Sequence, residues 1–231
     1  MKRHTLIAGA ITLVMLAAAA SQAAGTTIYN ARSGGKMRID GTANILHPTW
    51  QIEGTVIAGM MEVGPNFPME AGQAVTPGKV DAKADVAIPV RSLTSRKEDG
   101  EHYSDRMDEV MCEHLKEAQF KKIFYHLTEM TLKEAPKAKD APYVFEAKGD
   151  LTVSGVTNKL TMTVNVLPTV FKKDNLTEKR LEITGTTTVK MTDFKDEIVD
   201  INLGVTHIRT GDEVKLSFKW IVGQKRATAA Q

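Results

Sequence analysis

The chain has 231 residues, 30 basic against 28 acidic side chains, and one cysteine, Cys112. Near-balanced charge leaves no electrostatic footprint for nucleic acid or an anionic membrane surface, and a single cysteine excludes an internal disulfide framework. No heptad, low-complexity tract or solenoid-length repeat is visible, and a length of this order fits one β-barrel or sandwich domain.

At the N-terminus, Lys2 and Arg3 precede an uncharged apolar run, Leu6 to Ala20, and Ser21-Gln22-Ala23 offers the small residues that a signal peptidase reads. A cleaved signal peptide is expected over 1–23, with the domain over 24–231 and an exported, periplasmic or secreted destination. The run is short for a membrane span, and no cysteine follows it to carry a lipid. Without Lys2 and Arg3 the chain balances at 28 basic and 28 acidic residues.

From Lys36 to Leu46, Met37, Ile39, Gly41, Ala43 and Ile45 alternate with polar residues, the period-two pattern of a half-buried strand. His47-Pro48 ends it, because proline gives no donor to a ladder. Trp50, Ile52, Gly54, Val56 and Ala58 mark a second strand, and Val63 to Pro77, with three prolines and two glycines, reads as a long loop. Lys79 to Val90 is a strand with Val80, Ala82, Ala84, Val86, Ile88 and Val90 on one face.

The period then changes. Met107, Val110, Met111, Leu115 and Ala118 fall on one helical face between Ser104 and Ala118, with Ser104 as N-cap and Glu117 among the polar residues. Lys122 to Leu132 returns to strand, although Ile123-Phe124-Tyr125 leaves the inward face open. Tyr143 to Val166 alternates through two arms around Gly155 and predicts an antiparallel hairpin. Lys172 to Lys179 and Phe194 to Gly211 read as loops, and Leu181 to Met191 and Glu213 to Gly223 as the last strands. The expected fold is all-β, an up-and-down antiparallel barrel of about eight strands with one inserted amphipathic helix, wide enough to fill or to hold one slender ligand.

Candidate ligand-lining residues on the inward register are Ile39, Trp50, Ile52, Val86, Ile88, Phe145, Leu151, Met162, Val164, Ile183, Leu216, Phe218 and Trp220. Gly41, Gly54, Gly149 and Gly185 share that register. They permit sharp bends at barrel corners and, lacking side chains, could also leave an open channel for a long ligand; the two readings are compatible. Met107 and Met111 either seat the helix or form a soft lid.

The chemistry-bearing candidates are sparse. Asp105, Asp108 and Cys112 share a helical face, but with one soft ligand and no histidine there, no metal site is expected. No G-x-S-x-G, H-E-x-x-H, P-loop or G-x-G-x-x-G occurs, so no catalytic residue and no cofactor is assigned. His114 should point away from Cys112, leaving His47, His102, His126 and His207 as more distant partners for the thiol.

GDLTVSGVTNKLTMTVNV, from Gly149 to Val166, resembles the hairpin segment of the YceI-like family, a G-x-L-T-x-x-G-V-T run. The helix beginning Ser104-Asp105-Arg106-Met107-Asp108, the Met191-Thr192-Asp193-Phe194 segment and Gly211-Asp212-Glu213-Val214 also match, so the resemblance spans the chain after the leader. It implies a lipocalin-like eight-stranded barrel in the periplasm that holds a long-chain isoprenoid or fatty-acyl amphiphile as a carrier, not an enzyme. The Met60 to Pro77 loop and the spacing before the helix look expanded, so the ligand could differ. Two other readings stay open: an exported enzyme acting on such a lipid through Cys112 or a histidine, and a packed structural or stress-response envelope protein. A homodimer is a weaker expectation, with Cys112 as the candidate cross-link.

Overall fold

The computed structural model describes residues 25–44, 49–174, 176–195, 200–202 and 207–224. The expected leader and the His47-Pro48 break lie outside the described residues. Those described form strands β1 (Thr27–Ala31), β2 (Lys36–Thr42), β3 (Thr49–Gly54), β4 (Ala58–Val63), β5 (Gly78–Val80), β6 (Ala82–Pro89) and β7 (Leu93–Arg96), followed by helix α1 (Asp105–His114). Then come β8 (Lys122–Glu134), β9 (Tyr143–Val153), β10 (Val156–Lys173), β11 (Leu176–Lys190), β12 (Asp200–Asn202), β13 (His207–Arg209) and β14 (Glu213–Gln224).

These segments build a closed eight-stranded antiparallel barrel with one helix, the architecture expected from the alternation. Three of the eight staves are interrupted. β1 and β2 run in the same direction along one edge of β14, through Asn30 opposite Gly223 and Met37 opposite Phe218. Across the break between them, the Arg32 amide donates to the Ile221 carbonyl at 2.8 Å. β3 with β4, and β6 with β7, make the second and third staves, the latter broken by a tight helical turn at Val90–Ser92. β8, β9, β10, β11 and β14 complete the circuit. Between β9 and β10, Ser154 and Gly155 both take positive φ (49° and 79°), the two-residue turn whose twist matches paired strands.

Four expectations need correction. The second strand is broken, since β3 ends at Gly54 and β4 starts at Ala58, with Val56 exposed and Ile57 buried between them. Phe194 to Gly211 is not all loop, because β12 and β13 pair there through Asp200 opposite Arg209. Thr27–Ala31 is a strand that the sequence reading left out, since only Tyr29 of its five residues is buried and no alternation shows. Lys172 to Lys179 is not a loop: β10 and β11 stay paired to Lys173 opposite Leu176, so the hairpin extends past the core. Lys172, Lys173, Thr177 and Lys179 face water, Glu178 pairs with Arg32 and Arg180, and Arg180 stacks its guanidinium 3.6 Å from the Phe171 ring centroid.

The Val63 to Pro77 loop closes one end of the barrel. Phe67 is fully buried and stacks on Phe145, with ring centroids 5.5 Å apart and planes 8° from parallel. The Tyr143 hydroxyl lies 2.9 Å from the carbonyl oxygens of Glu70 and Gln73 and pins the loop by donating to either. Phe67→Ala removes this plug, and the loss of a buried aromatic, about 3–5 kcal/mol, lowers Tm by roughly 10 °C in a thermal melt. A melt within about 2 °C of wild type would show that Phe67 carries none of the end closure.

Candidate ligand-binding cavity

A cavity of about 610 Å³ occupies the barrel, and every stave contributes apolar side chains to it. β2 and β3 supply Met37, Ile39, Trp50 and Ile52; β4 and β6 supply Met61, Ala84, Val86 and Ile88. β8 and β9 add Ile123, Tyr125, Leu127, Met130, Ala147 and Leu151, and β10 adds Leu160, Met162 and Val164. Ile183 and Val189 of β11 and Val214, Leu216, Phe218 and Trp220 of β14 complete the wall. The sets follow the period of two, because alternate side chains of a strand face the same side of the sheet, except on β8, where a bulge between Leu127 and Glu129 moves the inward register to Met130. At the end opposite the Phe67 plug, Met107, Val110, Met111, His114 and Leu115 turn the apolar stripe of α1 and its C-cap toward the cavity.

Twelve of the thirteen apolar candidates named from sequence, all but Phe145, face this space. Phe145 is committed to the plug. Alternation in Lys122–Leu132 was masked by the apolar trio Ile123-Phe124-Tyr125, yet Ile123 and Tyr125 point inward while Phe124 is 49% exposed. The structure adds Met61, Met130 and Leu160, which sit on registers that the sequence could have exposed if strand ends had been clear.

The glycine channel is not present. None of Gly41, Gly54, Gly149 and Gly185 lines the cavity, because a neighbouring strand covers each one. Trp50, opposite Gly41 in register, lays its indole where a Cβ would stand. Phe218, opposite Gly185, comes within 2.7 Å of the Cβ position there, and Leu93 does the same at Gly54. At Gly149 the obstacles are the His126 carbonyl and the Tyr125 hydroxyl, the latter 2.7 Å from a Cβ. The glycines therefore accept large side chains from adjacent strands, and the open volume lies elsewhere.

Several lining residues also carry a buried polar atom without a hydrogen-bond partner among the described residues: Tyr125 Oη, Trp220 Nε1, His114 Nε2, Arg96 Nε and Thr210 Oγ1. Burial, reinforced by nearby Asp150, pushes the Tyr125 pKa up to about 12, so the phenol stays protonated.

The family model for the YceI-like domain matches residues 30–221, which spans the whole barrel circuit. The chain belongs to the YceI-like domain family. A polyisoprenoid-binding domain from Saccharophagus degradans, implicated in plant cell wall breakdown, superposes with a TM-score of 0.56 at 12% identity, over 86% of this chain and 98% of its own. Burkholderia cenocepacia BcnA gives 0.47 at 15% identity, over 80% of this chain and 95% of its own. A Campylobacter jejuni YCEI protein gives 0.46 at 14% identity, over 98% and 100%. At such identities the first of these shows a common fold. No match was found among curated protein sequences.

In this YceI-like domain the helix is latched at its N-terminus. Ser104 caps it by accepting from the Met107 amide at 3.4 Å. Asp108 Oδ1 accepts from the Ser95 amide at 2.6 Å, tying α1 to β7, and Asp108 Oδ2 lies 2.9 Å from His102 Nε2. Burial of the Asp108 carboxyl opposes its ionisation, but the Ser95 and His102 contacts together outweigh this and hold its pKa below the usual value. The grouping of Asp105, Asp108 and Cys112 considered from sequence is not assembled. His102, from the turn before the helix, joins Asp105 and Asp108 instead, within 4.8 Å of one another, and it does so with both Asp108 oxygens already engaged.

The helix also ends sooner than its periodicity suggests. It stops at His114, Lys116 turns left-handed at φ 53°, and Glu117 folds inward to accept from Arg91 at 2.9 Å and Lys121 at 3.3 Å. Burial, then Glu117, pushes the Cys112 thiol up, and Cys112 does not line the cavity. His126 bonds Asp85 on the outer surface at 2.6 Å, while His47 and the His207 side chain lie outside the described residues.

Two outcomes follow from this geometry. Gly149→Ala drives a methyl into the His126 carbonyl and costs about 1–3 kcal/mol, lowering Tm by several degrees; an unchanged Tm would mean that the wall yields freely there. Because the folded Asp108 pKa is depressed, its stabilisation is complete above about pH 4 and disappears as pH falls through the folded value. The stability gap between wild type and Asp108→Asn therefore narrows below about pH 4, and a gap independent of pH would remove the latch from the account.

Proposed function

We propose that this YceI-like domain binds a long-chain amphiphile, of isoprenoid or fatty-acyl type, inside its barrel, and acts as a binding or carrier protein in the periplasm. The cavity of about 610 Å³ with its hydrocarbon wall is the observation that carries the reading. Its size lies within the usual range of small-molecule sites. Burying about ten methylenes contributes about 8 kcal/mol, the scale of a micromolar complex before ordering costs, without any ion pair. The described name of the Saccharophagus degradans domain, polyisoprenoid binding, agrees with this class of ligand.

Binding rather than catalysis is favoured by where the titratable groups lie. Arg96, Lys97, Glu98 and Tyr103 reach the cavity from β7 and the chain after it, and His114 from α1. Toward the plugged end the lining residues Met61, Ala84, Met130, Ala147 and Val164 carry no ionisable group. The Cys112 thiol is held protonated and off the cavity, which weighs against a nucleophile there.

The test is native mass spectrometry of the protein purified from its own cell envelope, followed by organic extraction. One stoichiometric long-chain species is expected, and the same spectrum reads whether the protein is a dimer. Ala147→Phe fills the cavity from its wall and should lose that species, whereas Phe124→Ala, on the outside, should keep it. A bare wild-type mass, or equal lipid in the Ala147→Phe protein, would turn the reading toward a packed envelope protein or an enzyme.

A further inference from the structure

Resting on the lipid-binding reading, the make-up of the wall also bears on what empties the cavity. Of the 11 methionines of the chain, seven line this one space. Met37, Met61, Met130 and Met162 stand on wall strands, and Met107 and Met111 on the apolar stripe of α1. Met191 opens the tight turn after β11, Met191–Phe194, and Phe194 shares one apolar cluster with Met111. Thioethers fill irregular gaps softly, yet leucine would make an equally apolar wall. What methionine alone adds is a sulfur that takes up an oxygen atom.

That sulfur is not equally accessible along the barrel. Met61 and Met130, toward the plug, are each 2% exposed, and Met111 is 7% exposed. Met107 and Met191, at the helix end, are only partly buried, so an oxidant arriving from water meets them first. With hydrogen peroxide, the sulfur attacks one oxygen, and the S–O bond forms as the O–O bond breaks. The departing hydroxide takes the proton from the transferred oxygen and leaves as water, so the sulfide is oxidised and the peroxide reduced. The product is a polar sulfoxide. At Met107 its oxygen interrupts the stripe that carries Val110 and Met111, and at Met191 it continues the inward register of Val189. A hydrocarbon chain packed there desolvates that oxygen without offering it a donor.

We propose that Met107 and Met191 are modification sites, oxidised reversibly to the sulfoxide by a peroxide, and that their oxidation expels the chain held in the barrel. Reversal takes a dithiol-dependent sulfoxide reductase, which removes the oxygen as water and leaves the dithiol as a disulfide.

The test uses the whole protein with its native lipid extracted, hydrogen peroxide as oxidant and hexadecanol as probe. Native mass spectrometry of a titration counts added oxygens and bound probe together, and peptide mapping should place the first oxygens within the cavity on Met107 and Met191. The oxidised wild type should bind hexadecanol about tenfold more weakly than the untreated protein, and methionine sulfoxide reductase with dithiothreitol should restore it. The Met107→Leu/Met191→Leu protein, treated alike, should stay within about twofold of its own untreated affinity, although Met60 and Met69, which do not line the cavity, still oxidise. Oxidised wild type that binds as before, an equal loss in the double variant, or a loss that the reductase does not reverse would overturn the inference and leave lipid binding intact. Untreated protein that never binds hexadecanol would instead overturn the lipid-binding reading, and this inference with it.

Discussion

The barrel exists because β14 closes against the first stave. Every other wall strand pairs with a sequence neighbour, as a meander does for local reasons, but this seam joins the two ends of the fold. It is made in two pieces, β1 against the end of β14 and β2 against its beginning, with the Arg32 amide carrying the ladder across the break. Without the seam both strands would be open edges, and the interior would be the exposed face of a sheet rather than a cavity. Buried Tyr29 and Val222, on β1 and β14, make it a packed joint as well as a hydrogen-bonded one.

Closure alone would not leave room inside. The volume survives because the wall accommodates its own bulk: Trp50 and Phe218 lie over glycines of adjacent strands. The two ends are then treated differently. One is stopped by Phe67 stacked on Phe145, a hydrocarbon plug with little reason to move. The other is covered by a single helix whose attachment includes hydrogen bonds donated by the Ser95 amide to Asp108 and by the Ser95 hydroxyl to the Ser104 carbonyl, a polar fastening on a largely apolar contact.

Much of this was legible in the residues. Strict alternation in Lys36–Leu46, Tyr143–Val166 and Glu213–Gly223 specified strands and their inward faces, because in a strand the two faces differ by one position and a core admits only one choice. Alternation fails where a strand leaves the core. The extended hairpin around Asp174 is polar on both faces and looked like a loop, and β1 has too few buried positions to show a period. The length of α1 was overread for a related reason. Apolar spacing continued past His114, but the chain turned left-handed at Lys116 to bury Glu117 against Arg91.

By itself, then, the sequence determined the architecture, the inward set of side chains and the family, all of which are written in local period and motif. Tertiary structure alone decided what the inside is. Whether a glycine opens a channel depends on which residue lies beside it on the next strand, and whether Phe145 faces a ligand or a plug depends on a loop some seventy residues away. These are relations among distant segments, and a one-dimensional pattern carries no distance between them.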